Sequence, residues 1–352
     1  MFAILLLIPI LITCIILRKI GLGKVEYRRY FSEEGVFEGE GVILIEEIAN
    51  PFFFPLIMVD VNVCLNNDLR LSDYAGPGIA MQEFTSRFYL PPFTQIKRRV
   101  KITCTRRGYF RLESVTINGR PHPATAEIHV YPRALPYNES SPMESEMQST
   151  ALTTKRLFQD PFSFSGIRDY RYGDTFRSIN YKATAKTGAI KVNDRDFFSS
   201  RNIMVYIDFA QVYPHPLTTE EYNALMEEAL SYSADMVWTG IQQGFSVGFA
   251  ANCRSIKMHA GQKTKLLVGA SENYVRFPMG RGHSHYKEVL KEMAAIRLLD
   301  GCSFMWLLKQ DIEDLWNVDI FIMTTNMDQP FDELREIYHN RGNHLTVLEL
   351  RV

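Results

Sequence analysis

What the chain lacks narrows its function before anything it contains. Neither charge sign is in excess: 39 Lys and Arg stand against 40 Asp and Glu, for a formal net charge of -1. A nucleic-acid-binding protein usually shows a basic surplus over a whole domain, so no nucleic-acid partner is expected and any basic function must be local. Cysteine is scarce. Cys14, Cys64, Cys104, Cys253 and Cys302 are widely spaced, with no C-x-x-C pair to hold zinc or run redox chemistry, and they read as buried or idle thiols of a reducing compartment. There is no G-x-x-x-x-G-K-[ST] loop to cradle a phosphate chain, so any ATPase activity would need another subunit. No internal repeat or coiled-coil heptad is present either.

Long hydrophobic runs are also missing, with one exception at the amino terminus. "FAILLLIPILITCIIL", Phe2 to Leu17, holds no charge and is followed at once by Arg18 and Lys19. At ~1.5 Å rise per residue the run covers about 24 Å, a little short of a ~30 Å hydrocarbon core, and snorkelling basic side chains would extend it. A secretory signal is the rival reading, but no basic residue precedes the run and no small-x-small cleavage pattern follows it. The expectation is an uncleaved transmembrane anchor with a basic flank over 1–24. Arg18, Lys19, Lys24, Arg28 and Arg29 against Glu26 then place the rest in the cytoplasm by the positive-inside bias, as a single-pass protein of the cell membrane.

Residues 25–135 change to a period of two. Val59, Val61, Val63 and Leu65 alternate with Asp60, Asn62, Cys64 and Asn66, and turn signals such as Asn50-Pro51, Pro91-Pro92 and Asn118-Gly119 divide the segment. Six or seven short strands without a helix predict an all-β, immunoglobulin-like sandwich. Residues 136–160, rich in Ser, Thr, Glu and Met, read as a linker.

Beyond residue 200 apolar strands alternate with helices, which predicts an α/β domain over 161–352 with a doubly wound, mostly parallel sheet. "IMVYI", Ile203 to Ile207, is a buried-strand run ending at Asp208. Thr218 with Glu221 forms a capping box opening a helix that carries Tyr222, Leu225, Met226 and Ala229 on one face. A further helix holds Tyr286, Val289, Leu290 and Met293, and another runs from Phe331 to Tyr338, closing near Gly342.

Between these regions lies "GIRDYRYGDTFRSINYKATAKTG", residues 166 to 188. The spacing predicts a turn at Gly173 and an N-cap at Asp174 for a short helical segment through Ile179 and Ala183, ended by Gly188. Asp169 and Asp174 sit among Arg and Lys, which suits ion pairing better than general-acid work. From 168 to 195 there are seven basic residues and three acids. An internal charged brace, a brace with a protein-partner face, and a surface for lipid phosphate or nucleic acid all remain open for this stretch.

This stretch, following an anchor and a sandwich, resembles the signature of the family called domain of unknown function 58, roughly G-x-R-x-Y-x-x-G-D-x-x-R-x-I-x-W-x-x-x-A-R-x-G. It matches at Gly166, Arg168, Tyr170, Gly173, Asp174, Arg177, Ile179, Ala185 and Gly188, with Tyr181 for the tryptophan and Lys186 for the second arginine. The Lys keeps the charge and loses the planar fork of Arg. Lys182 adds a further positive charge inside the motif. The resemblance implies a C-terminal domain similar to von Willebrand factor A. It further implies a membrane-tethered, non-enzymatic interaction or assembly role beside a MoxR-type AAA+ ATPase, with no catalytic residues or cofactor to carry over.

Von Willebrand A-like domains often hold Mg²⁺ where the first strand ends in D-x-S-x-S. Here the strand ends "DFAQV": Asp208 is kept, while Ala210 and Val212 replace the hydroxyl ligands, so the site is degenerate. The alternative reading is a Mg²⁺-dependent enzyme or an adhesion-type ligand-binding domain using the loops near Asp208. His283 and His285 offer two imidazoles without a third ligand in sequence.

Overall fold

The computed structural model describes residues 2–71, 81–135, 166–171, 179–194, 202–210, 218–255, 274–300 and 302–350. The apolar amino-terminal run forms a helix, α1 (Phe2–Leu22), with Pro9 inside it. Among the described residues, however, no helix is long and apolar enough to cross a membrane. This corrects the expected fold class at its first element, and with it the expected single-pass placement in the cell membrane. The physical reason lies at the helix end. The uncharged run stops at Arg18, about 24 Å from its start, and the last turn is already committed to protein. Gly21 approaches so closely that a Cβ there would lie 2.8 Å from Leu56, and Leu22 packs on the sandwich core.

Nine strands then build two facing sheets, more than the six or seven expected. They are β1 (Glu26–Phe31), β2 (Gly35–Phe37), β3 (Gly41–Asn50), β4 (Leu56–Asn66), β5 (Leu69–Leu71), β6 (Met81–Leu90), β7 (Thr94–Cys104), β8 (Gly108–Ile117) and β9 (Arg120–Tyr131). One sheet has the order β1-β3-β7-β5 and the other β2-β9-β8-β4-β6. Alternation puts Val59, Val61, Val63 and Leu65 inside, facing Leu44, Ile48 and Ile102. Two inward positions are charged, Arg29 on β1 and Glu46 opposite it on β3. Arg29 is buried and donates from Nε to Ala124 O and from Nη2 to Ser114 O, both at 2.9 Å. Those carbonyls adjoin the irregularity between Leu112 and Ser114 in the β8–β9 pairing, so the guanidinium satisfies acceptors at a break in the ladder.

A small two-stranded sheet follows, β10 (Gly166–Asp169) with β11 (Lys191–Asp194), joined to the seven-residue helix α2 (Tyr181–Thr187). The C-terminal sheet contains β12 (Asn202–Ile207), β13 (Ser246–Ala251), β15 (Val275–Gly280), β17 (Val318–Thr324) and β18 (His344–Glu349), in the order β15-β13-β12-β17-β18. β12, β13, β17 and β18 run parallel and β15 is an antiparallel edge. The short pair β14 (Cys253–Ser255) and β16 (Ile296–Asp300) lies beside it.

Helices α3 (Thr219–Gln242) and α4 (Gly282–Ala295) pack with the sheet residues Ile203, Val205 and Ile207. Helices α5 (Phe304–Asp311) and α6 (Phe331–His339) pack in a second core with Met204 and Tyr206. Period-two alternation along β12 therefore feeds two cores, which explains its unbroken apolar run. Both halves of the capping box form at Thr218 and Glu221, fixing the start of α3.

The sandwich is bound to this α/β unit directly. Tyr131, the last residue of β9, is buried in the core with α3 and α4, and Phe37 packs against it. Arg107, in the β7–β8 turn, reaches into the same boundary with only 3% of its side chain exposed. It grips Glu227 of α3 through Nε and Nη2 at 2.6 and 2.8 Å and donates from Nη1 to Met293 O at 2.6 Å and Ile296 O at 2.8 Å, at the end of α4. Lys291 pairs with Glu34 at 2.6 Å nearer the solvent.

Candidate functional site

Two places deserve the name of site. The first is the crevice at the carboxyl ends of β12, β13 and β17, where the chain turns to opposite sides of β12; open α/β sheets bind ligands at such switch points. Asp208 stands there, 1% exposed. Its Oδ1 accepts from the Ala210 N–H and from Asn252 Nδ2, both at 2.9 Å. Its Oδ2 accepts from Gln329 Nε2 at 2.7 Å and from Thr324 Oγ1 at 3.1 Å. Asn252 is held in turn, its Oδ1 accepting from the Phe209 N–H at 2.6 Å. Burial raises the Asp208 carboxyl above its ordinary range, and the four donors offset part of that rise.

These residues do not fit Mg²⁺. The ion requires near-octahedral oxygen ligation, yet three of the four groups turned toward the carboxylate are N–H donors that would repel a cation. Ala210 offers no side-chain oxygen, Val212 lies outside the described residues, and the Gln329 amide occupies the remaining carboxylate direction. Gln329 Oε1 is buried without a hydrogen-bond partner, which is consistent with its amide nitrogen being committed to Asp208. Among the described residues no group of three His, Cys, Asp or Glu side chains could hold a metal. The two histidines are used elsewhere: His285 Nε2 lies 2.7 Å from Val247 O with its ring against Phe277, and His283 packs by Trp238 and Tyr286.

The second place is the signature stretch. Gly166 and Arg168 lie on β10, where Arg168 faces Val192 across the pair. Tyr170 donates its N–H to Ile190 O, and Ile179 bridges to Val192 from the other side of β11. Asp169 pairs with Lys191 at 2.6 Å, and Arg168 Nη1 donates to the Asp169 carbonyl. Gly173, Asp174 and Arg177 lie outside the described residues.

The described helix starts later than the spacing predicts. Ile179 is extended, and the N-cap is Asn180, whose Oδ1 accepts from the Ala183 N–H at 3.0 Å. Gly188 closes the helix at φ 73°, a left-handed conformation that a Cβ would strain. No residue of α2 is buried, and Tyr181, Lys182, Ala185 and Lys186 all face solvent.

The sequence reasoning missed Asn252, Gln329, Arg107 and Glu227. Asn252 had a faint signal, a polar residue closing the apolar run "FSVGFAA" as Asp208 closes "IMVYI". Gln329 had none, since its role depends on how the loop after β17 folds back.

No family model matches the chain, and no curated protein matches it. Many solved structures overlap parts of it, and two serve as examples. One is the Pseudomonas fluorescens alkylpurine DNA glycosylase AlkC bound to DNA with an abasic-site analogue, at 19% identity over 32% of this chain and 31% of that one, with a TM-score of 0.24. The other is the CARDB domain of a Pyrococcus furiosus protein in complex with di-metal ions, at 14% identity over 30% of this chain and 93% of that one, with a TM-score of 0.22. The chain thus spans about a third of the glycosylase, and likenesses this slight carry no argument about fold or function.

Proposed function

We propose that this chain is a non-enzymatic interaction or assembly protein of the domain of unknown function 58 type, working with a MoxR-type AAA+ ATPase. The observation that carries the reading is the saturated Asp208: where an α/β fold of this topology would place a ligand, the carboxylate is occupied by four of the protein's own donors. The chain supplies no phosphate-binding loop, so nucleotide chemistry falls to a partner. Its two folded parts are fastened together by Arg107 and Tyr131, which suits a rigid adaptor.

Crosslinking in the native host, followed by affinity capture of the full chain and mass spectrometry, tests this. The expected result is recovery of an AAA+ ATPase, together with no ATP hydrolysis by the purified chain alone. Failure to recover any such ATPase from a host that encodes one overturns the reading.

A further inference from the structure

Three features of the β10–β11–α2 module set its exposed surface apart. First, α2 has no buried residue, although a short helix in a folded domain normally earns its stability by packing one face. Second, large apolar side chains lie open around it: Tyr181 is 73% exposed, Ile190 50% and Ile167 49%. Isolated exposed hydrophobics are ordinary, but here three fall within one small module whose buried residue is Val192. Third, Lys182 and Lys186 stand four residues apart on the same side of α2, both exposed. Lys191 neutralises Asp169, leaving the surface of the module positive while the whole chain is formally at -1.

We infer that this module is the docking surface of the chain, and that its occupant is an acidic, apolar-containing segment of a partner protein. The inference rests on the interaction reading above and adds the place and the chemistry. Tyr is enriched at interface centres, where it brings a large ring and few rotors, so Tyr181 is the anchor. Lys182 and Lys186 form a charged border that speeds encounter with an acidic surface. Charge complementarity selects the occupant. Ile167 and Ile190 further favour a protein segment over a nucleic acid, because aliphatic side chains gain nothing from a phosphate backbone and stack poorly on bases.

The test uses the purified full chain and labelled synthetic peptides alternating Glu with Leu or Lys with Leu, beside a single-stranded oligonucleotide, titrated by fluorescence anisotropy at low and high salt. The Glu/Leu peptide binds, the Lys/Leu peptide does not, and affinity falls as salt rises. Lys182→Glu with Lys186→Glu weakens binding at least tenfold at low salt, and Tyr181→Ala weakens it at all salt concentrations. Circular dichroism melts of the variants stay with the parent, because all three residues are exposed. Equal affinity for parent and variants, or tighter binding of the oligonucleotide than of the Glu/Leu peptide, overturns the inference. This assay needs no ATPase, so its failure is separable from failure of the capture experiment.

Discussion

Replacing Arg107 by Ala tests how the two folded parts are held together. The side chain is almost fully buried and makes four strong bonds: two to Glu227, one to Met293 O and one to Ile296 O. Truncation leaves the two carbonyls at the end of α4 without donors, at about 1–3 kcal/mol each. Glu227 is 36% exposed at its side chain, so it recovers water and adds only ~1 kcal/mol. The expected loss is about 3–5 kcal/mol, the range found when one partner of a buried ion pair is removed. Trp238, Trp306 and Trp316 all lie in the α/β unit, so tryptophan fluorescence follows that unit alone, while far-ultraviolet circular dichroism follows both. In urea the two signals coincide for the parent. In Arg107→Ala they separate, and both midpoints fall. Arg107→Lys keeps the charge but not the fork, and lands between the two. A variant whose signals still coincide within ~0.5 kcal/mol of the parent refutes the clamp.

The remaining predictions concern the crevice and a helix start. Gln329→Ala removes one donor from a buried carboxylate and costs about 1.5–3 kcal/mol in urea denaturation; an unchanged midpoint would show that Gln329 is not seated on Asp208. Saturating Mg²⁺ or Mn²⁺ leaves the melting temperature of the parent unmoved, and a clear rise would mean that the crevice takes a cation after all. Because burial raises the Asp208 carboxyl, the folded chain binds this proton before the unfolded chain does, so this group adds stability as pH falls through its folded value and loses it as pH rises. Carbon-detected NMR titration of the parent against Asp208→Asn checks the direction, and a carboxyl titrating at or below the ordinary Asp range contradicts it. Thr218→Ala breaks the capping box of α3 and lowers stability by roughly 0.5–2 kcal/mol by thermal denaturation.

Local signals in the sequence survive into the structure where neighbours in the chain decide the outcome. Thr218 and Glu221 are three residues apart and cap α3 as their spacing requires. Gly188 takes the left-handed turn after α2. The period of two in β4 and the unbroken apolar run of β12 name the core residues of their sheets. What failed depends on distant partners. Arg106 and Arg107 are identical in the sequence, and only docking against α3 and α4 decides that Arg107 turns inward. β15 contains Pro278, and its antiparallel place at the sheet edge tolerates the proline. Ile179 reads as helix by its spacing but is held extended by its bridge to Val192. The amino-terminal run was legible as a helix, whereas the docking of its last turn on Leu56 was not.

The boundary between the sandwich and the α/β unit also sets how the molecule carries load. Arg107, Tyr131 and Lys291 span it side by side, from the β7–β8 turn, the end of β9 and the face of α4. These attachments come from separate elements, so parting the sandwich from the α/β unit would have to break all three.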